Sequence, residues 1–394
     1  MKIYEALPPA SPRAGFLRTV SDWTDAALVE FGPEGTMHYA QSAIHRETEN
    51  LFTTGMEEKQ IIFGDTAKLE AAVREVDARC APEVLFVTSS PVSEIIGTNL
   101  SGVCRRLQPE IHASILCWDR VPMEGTEADG QKKAYTLAAA YLRAQADRFP
   151  GKQAQTGKRF LVLGLGAPDW NGTADLDEIR RMLGQYLGLS CLNGRDGSYR
   201  LSDVPAADWI LAAEPAALPL AEAARALWGT PWYAGIPYGI AGSEEMLRSA
   251  EGSLGLARTE AWAQERREVE RLTAQFRMRV RADGHKFLAD VRGSRQAPLL
   301  HFLSREAGLP AKAPENGAES FSGSGVVTRL QEVLPGDIFL GCGTACALYP
   351  EGKSLCMEYP ASGQLRLSPY IPYMGLRGAA NLLNDLYPLC EQNP

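Results

Sequence analysis

The chain has 394 residues, 45% apolar and 22% charged, the composition of an ordinary globular protein with enough material for two or three domains. A net charge of -8 with no basic cluster argues against nucleic acid or an anionic membrane as a partner. No apolar run approaches the roughly 18 residues of a membrane-spanning helix, and "MKIYEALPPASPR" lacks the apolar core of a signal peptide, so a cytoplasmic location is expected. In chain order, "GPEGT" (Gly32 to Thr36) reads as a tight glycine turn, and "KLEAAVREVDARC" has helical spacing. "EVLFVTS" reads as a buried strand from its β-branched content, "IHASILCW" as the next strand, and "QKKAYTLAAAYLRAQADRF" as an amphipathic helix. The polar "PGKQAQTGKR" then reads as a linker.

The pattern restarts with the strand "FLVLGLG" and the helix "DLDEIRRMLGQYLGL", which a glycine ends. "DWILAAEP" reads as a strand, "LAEAARALWG" as a helix and "PWYAGIPYG" as a strand and turn. One long helix is expected from about Ser243 to Met278, its Arg and Glu pairs forming a solvated face. A third restart runs through "HKFLADV", the helix "QAPLLHFLSREAGL", and the strands "DIFLGCG" and "SLCMEYP", to a helical "GLRGAANLLNDLYPLC". Three successive βα series imply three Rossmann-like αβ domains, residues 1–155, 156–278 and 279–394, with parallel sheets around a central cleft. Ligands in such folds collect at the carboxyl ends of the strands.

"LGLGAPDWNG" follows a strand, but Gly164 and Gly166 lack the third glycine of a dinucleotide fingerprint, and no phosphate-loop pattern occurs, so neither an NAD nor an ATP site is expected. The eight cysteines of a chain of this size read mostly as small buried hydrophobes. The exception is "GCGTACALYPEGKSLC", which brings Cys342, Cys346 and Cys356 to the end of a strand. Three thiolates there can hold a soft metal or a cluster with an open iron; the alternatives are tight-turn packing and a Cys342–Cys346 disulfide. Of the histidines, His38 and His45 would share a helix face near the turn. His301 reads as a packing or surface residue, and His112 and His285 stand apart. Arg46 with Glu47 reads as an ion pair bracing the loop after the turn.

Several segments, in order, resemble the nitrogenase component 1 type oxidoreductase family. "GPEGT" is similar to the family's H-G-P-x-G-C, and "LFTTGMEEKQIIFGDTAKLEAAV" and "PEVLFVTSSPVSEIIGTNL" to the segments that follow it. "KSLCMEYPASGQLRLSPYIPYMGLRGAANLL" is similar to the family's terminal motif. The resemblance implies cysteines in the first domain that hold an iron–sulfur cluster at a subunit interface. Here those positions fall near Ala10 or Ser11, on Thr36, and on Pro91 or Ser90, with Phe31 at the preceding histidine. None is a thiol, so the usual cluster is not expected. Gly32 and Gly35 would survive as shapers of the loop. The family's cofactor-ligating cysteine would fall near Ala213 or Glu214 and its histidine within Met357 to Pro360, where no histidine stands, which argues against dinitrogen reduction.

The resemblance also offers Gly32, Gly35, Thr36, Ser90, Tyr373 and Arg377 as cofactor-binding residues, with domain packing the alternative for Tyr370, Tyr373 and Arg377 at the central cleft, and implies a homodimer or a heterodimer with a homologous component 1-like subunit. Two functions follow from it. One is a reductase component that takes electrons from a transient iron-protein-like ATPase and uses an iron–sulfur cluster or other metallocofactor in the cleft, with Cys342, Cys346 and Cys356 as donors. The other is a non-catalytic scaffold for cofactor binding or assembly that has lost the cluster.

Overall fold

The computed structural model describes residues 11–44, 48–149, 157–280, 286–291, 293–313, 337–342, 346, 353–358 and 371–391. His45, Arg46, Glu47, His285, Tyr370 and most of the expected linker lie outside the described residues. No helix among the described residues is long and apolar enough to cross a membrane.

Three four-stranded sheets, parallel throughout, organise the chain. The first holds β1 (Ala26–Phe31), β2 (Leu51–Thr53), β3 (Val84–Ser89) and β4 (Ser114–Trp118) in the order β2-β1-β3-β4. The second holds β5 (Arg159–Leu163), β6 (Ser190–Cys191), β7 (Trp209–Ala212) and β8 (Trp232–Ala234), ordered β6-β5-β7-β8. The third holds β9 (Phe287–Asp290), β10 (Ala311–Lys312), β11 (Ile338–Cys342) and β12 (Lys353–Glu358), ordered β10-β9-β11-β12. One topology is therefore used three times: the chain steps outward from the first strand, then back across it to the third and fourth. Of the central strands, β1, β3, β7 and β11 are buried along their whole length, which is why they read as continuous apolar runs rather than alternating ones.

Helices cover both faces of these sheets. In the first third they are α1 (Pro12–Ser21), α2 (Glu34–Ile44), α3 (Glu58–Phe63), α4 (Ala67–Cys80), α5 (Pro91–Ile95), α6 (Leu100–Leu107) and α7 (Glu127–Ala144). In the rest of the chain they are α8 (Gly172–Leu187), α9 (Leu218–Trp228), α10 (Gly239–Leu254), α11 (Glu260–Arg279), α12 (Gln296–His301) and a last helix, Gly375–Glu391. Local chemistry sets several ends. Thr126 and Asp129 form a capping box at the start of α7, and Gly188 and Gly229 end α8 and α9 in the left-handed conformation.

The expected long helix over Ser243 to Met278 is two helices. Gly255, at φ 65°, closes α10 in a left-handed cap, and Thr259 in extended geometry opens α11. The arginine and glutamate pattern runs through both helices and concealed the break. The "GPEGT" turn is also shorter than expected, because Glu34 already begins α2 and only Gly32 and Pro33 make the bend.

The sheets do not stand as separate cores. Phe16 and Trp23, beside the first sheet, and Tyr135 on α7 join Leu161, Ile210 and Leu220 of the second unit in one cluster. Trp209 and Tyr186 share another with Phe287, Leu340 and Leu386. The helices α1 and α7 cross so closely that a Cβ on Gly15 would strike the Glu127 carbonyl, and one on Gly130 the Pro12 carbonyl. This packing ties α1 to the body of the molecule and fixes where its two arginines point.

Candidate functional site

In each sheet the connections leave the first and third strands in opposite directions, so a crevice opens between their carboxyl ends. Side chains at those ends or up to six residues past them decide what each crevice can do.

In the first crevice, between the ends of β1 and β3, Arg13 of α1 forks onto the fully buried Glu30 carboxylate, with Nη2 to Oε2 at 2.7 Å, and donates to the Thr36 carbonyl at 3.0 Å. The Thr36 hydroxyl donates to the Pro33 carbonyl at 2.8 Å. Ser90 caps α5: its hydroxyl accepts from Ser93 N–H at 3.2 Å, and its own N–H donates to the Ser93 hydroxyl at 2.8 Å. Gly32 sits against Ser90, and a Cβ there would lie 2.6 Å from the Ser90 hydroxyl, so this glycine is required by close approach. Gly35 has open space around it inside α2, so neither crowding nor a positive φ demands a glycine there. Gly32, Thr36 and Ser90 lie together at this crevice, but each hydroxyl is already bonded within its own loop, and Arg13 and Glu30 form a closed ion pair. A cluster held by thiolates does not fit this crevice.

The second and third crevices open onto one another. Asp169, past the end of β5, takes the Arg18 guanidinium of α1 and the Arg295 guanidinium past the end of β9, the latter at 3.2 Å. The three residues come from the three αβ units. Asp169 Oδ2 also accepts from Gly166 N–H at 2.9 Å, which orients the carboxylate toward the junction. Arg295 is almost wholly buried, whereas Arg18 and Asp169 keep small exposed surfaces.

Glu214, past the end of β7, completes this junction. Its carboxyl is crowded by protein atoms, and burial pushes its pKa up to about 7 against the opposing pull of Arg295; Asp169 raises it further, and Ser294 and Arg18 lower it. Glu214 keeps partial exposure, as a group lining a crevice does, and the crowding at its carboxyl governs its proton affinity. Ser294 also donates to the Ala213 carbonyl at 2.9 Å, which fastens the third unit's strand end to the second's. A second buried carboxyl, Asp175 of α8, accepts from the N–H groups of Tyr373 at 2.6 Å and Met374 at 2.9 Å. Burial outweighs those bonds and lifts its pKa to about 6.

Cys342 ends β11, Cys346 follows it and Cys356 lies on the neighbouring β12; all three are buried free thiols. Their mutual proximity adds to burial: Cys346 is pushed up to about 11 and Cys356 to about 12. Among the described residues no group of three metal-donor side chains is assembled. Tyr373 is buried, donates its hydroxyl to Asp385 at 2.6 Å, and lies within electrostatic reach of Tyr238. Arg377 is exposed on the last helix, 3.7 Å from Glu265. Glu57 pairs with Lys68 at 2.7 Å on the surface, His38 and His301 are exposed, and exposed His112 lies 3.1 Å from Asp77. Met357 and Glu358 are buried at the end of β12, with Glu358 within reach of Arg295.

Sequence reasoning missed Arg13, Arg18, Glu30, Asp169, Ser294 and Arg295. Asp169 stood inside the inspected "LGLGAPDWNG". Its position just past a predicted strand, where a doubly wound sheet displays functional groups, was the available signal. Nothing local in the sequence linked Arg18 to it across 151 residues.

Comparison with known proteins agrees with this architecture. The profile of nitrogenase component 1 type oxidoreductases matches residues 11–313. The nitrogenase iron-molybdenum cofactor biosynthesis protein NifE of Bradyrhizobium diazoefficiens is 25% identical over 237 residues, covering 57% of this chain and 42% of that protein. NifE of Rhizobium meliloti is 25% identical over 283 residues, covering 68% and 57%. The corresponding protein NifN of Rhodobacter capsulatus is 27% identical over 202 residues, covering 47% and 42%. The chain spans about half the length of the curated relatives it matches. Among solved structures, a chain of nitrogenase Cp1 at pH 6.5 superposes with a TM-score of 0.74 at 16% identity, covering 99% of this chain and 94% of that one, a likeness of fold.

Proposed function

The chain belongs to the nitrogenase component 1 type oxidoreductase family, and from that premise we propose that it is a scaffold subunit that binds a metallocofactor, or a precursor of one, at the junction of its three αβ units. The observation that carries this reading is the contrast between the crevices. The first, where the family resemblance expects a cluster at the subunit interface, is closed by Arg13, Glu30, Thr36 and Ser90. The junction instead presents two guanidinium groups and a carboxyl that changes charge near neutral pH. The names of the related biosynthesis proteins point the same way.

In this reading Arg18 and Arg295 supply positive charge to an anionic group, and Glu214 donates a hydrogen bond to it while protonated. When bound, such a group would supply iron–sulfur chemistry for transfer onward to a partner. A homologous subunit, identical or not, is the expected partner.

A second reading is a reductase component with Cys342, Cys346 and Cys356 as metal donors, served by an iron-protein-like ATPase. Three buried thiols close enough to raise one another's proton affinity support it, although among the described residues they do not form an assembled three-donor group. Metal binding would deprotonate these thiols despite their high proton affinity.

The discriminating experiment is anaerobic purification and reconstitution with ferrous iron and sulfide, followed by iron and sulfide analysis and visible spectroscopy. The scaffold reading expects bound iron that falls in Arg295→Gln, persists in Thr36→Val, and supports no ATP-dependent substrate reduction with an iron protein. Iron lost only in Cys342→Ala and Cys346→Ala, together with ATP-dependent reduction, would establish the second reading instead. A chain that takes up no iron would overturn both.

A further inference from the structure

Cys104 and Cys117 lie in the first unit, on α6 and β4, and take no part in the crevice contacts described above. Cys104 is on the buried face of α6 with Leu100, Val103 and Leu107, and Cys117 is on β4, the edge strand of the first sheet. Ser101, one turn before Cys104 on the same face of α6, reaches the Cys117 sulfur, which places the two thiols beside one another, and neither is oxidised. Around them the structure supplies more than packing. The Ser101 hydroxyl donates to the Cys117 sulfur at 3.8 Å, and the Ser101 N–H donates to the Asp119 carboxylate at 3.2 Å. Arg105, one residue beyond Cys104, adds positive potential at Cys117, and Asp119 opposes it.

Cys104 is buried, while Cys117 keeps partial access to solvent from the sheet edge. The pair is therefore asymmetric: the accessible sulfur has its thiolate favoured by hydrogen bonds from Cys104 and Ser101, and the buried one has its thiol form favoured by burial and by its neighbour.

We infer that Cys104 and Cys117 are a reversible dithiol–disulfide pair that exchanges with low-molecular-weight disulfides. The Cys117 thiolate attacks one sulfur of a disulfide RS–SR, forming a mixed disulfide and expelling RS⁻. The Cys104 sulfur, already opposite, then attacks the Cys117 sulfur and expels the second RS⁻, its proton passing to a leaving thiolate. Two protein thiols are oxidised to one disulfide, and one small disulfide is reduced to two thiols. The product would tie α6 to the edge strand β4. Cys80, exposed and without a thiol neighbour among the causes that act on this pair, provides an internal comparison.

The test uses the full chain, reduced and then incubated with excess oxidised glutathione at neutral pH, followed by alkylation and peptide mass mapping. The expected result is the loss of two alkylatable thiols from the eight as a Cys104–Cys117 linked peptide, alongside a stable glutathione adduct on Cys80. Cys104→Ser should trap the adduct on Cys117, and Cys117→Ser should leave Cys104 alkylatable only after unfolding. The wild-type linked peptide stands as evidence even where a serine variant fails to fold. If Cys80 is fully modified while Cys104 and Cys117 both remain thiols, or if Cys117 stops at a stable glutathione adduct in the wild type, the pair is not an exchange site.

Discussion

Replacing Asp169 with asparagine tests whether the three αβ units are clasped through one carboxylate. The side chain keeps its shape and can still accept from Gly166 N–H, but it loses the charge shared by Arg18 and Arg295. At 3.2 Å and an effective dielectric near 20, the attraction to Arg295 alone is about 5 kcal/mol before desolvation. Removing one partner of a buried pair costs about 3–5 kcal/mol, because the other charge is left in the interior. Relief is available, since Arg18 also lies 3.8 Å from Glu127, and Arg295 lies within reach of Glu214 and Glu358. We therefore expect a loss of about 3 kcal/mol.

The loss should be larger at pH 6, where Glu214 is mostly protonated, than at pH 8, where its carboxylate can take over part of the Arg295 charge. Urea unfolding followed by tryptophan fluorescence measures this, comparing the first transition because a three-unit chain need not unfold in one step. Arg18→Met and the double variant complete a cycle whose coupling energy should be about 2 kcal/mol. A loss under about 0.5 kcal/mol, or strict additivity in the cycle, would refute the clasp.

Three further outcomes follow from the same geometry. Glu214 has a folded pKa near 7, raised from an ordinary value of 4.5, so the folded state holds a proton that the unfolded state releases; the stability this provides is complete below about pH 4.5 and is lost as pH rises through about 7. Glu214→Gln should remove this dependence and be more stable than the parent at pH 8 by about 2 kcal/mol, read from urea midpoints; a parallel pH profile for the two proteins would sink the assignment. Gly130→Ala should destabilise by about 3 kcal/mol or more, because its Cβ meets the Pro12 backbone, which has little room to move; a thermal midpoint within a degree or two of the parent would contradict the close crossing of α1 and α7. Cys346 and Cys356, pushed up to about 11 and about 12, should resist a thiol reagent at neutral pH for as long as the fold persists, while Cys80 reacts at once; equal rates would show that the β11 end is open.

The fold was legible because buried parallel strands announce themselves as short β-branched runs separated by amphipathic helices. "EVLFVTS" became β3 and "DWILAAEP" contains β7 for that reason. The break between α10 and α11 was less visible, since one glycine in a left-handed cap interrupts an otherwise continuous charge pattern. The candidate site divides similarly. Thr36 and Ser90 were reached through the family resemblance of the loops that carry them, and their hydroxyls bond within those loops. The charged residues were not, because Arg18, Asp169 and Arg295 belong to separate elements and acquire meaning only when the sheets bring them together. Tyr373 and Arg377 were inferred from resemblance alone, and the side-chain partners the structure gives them are Asp385 and Glu265.

The two differently furnished crevices are linked by a single helix. Arg13 of α1 enters the first crevice, and Arg18, five residues on and so on another face, enters the junction. Between them Gly15 lies against the α7 backbone, which permits almost no sliding of α1. A displacement of α1 by one residue's rise, about 1.5 Å, is half the length of a hydrogen bond and would weaken both ion pairs at once. The ion pair that closes the first crevice therefore also helps to hold Arg18 in position at the second. On that account the first unit contributes to the junction through the placement of one guanidinium, a role that needs no thiol at Thr36 or Ser90.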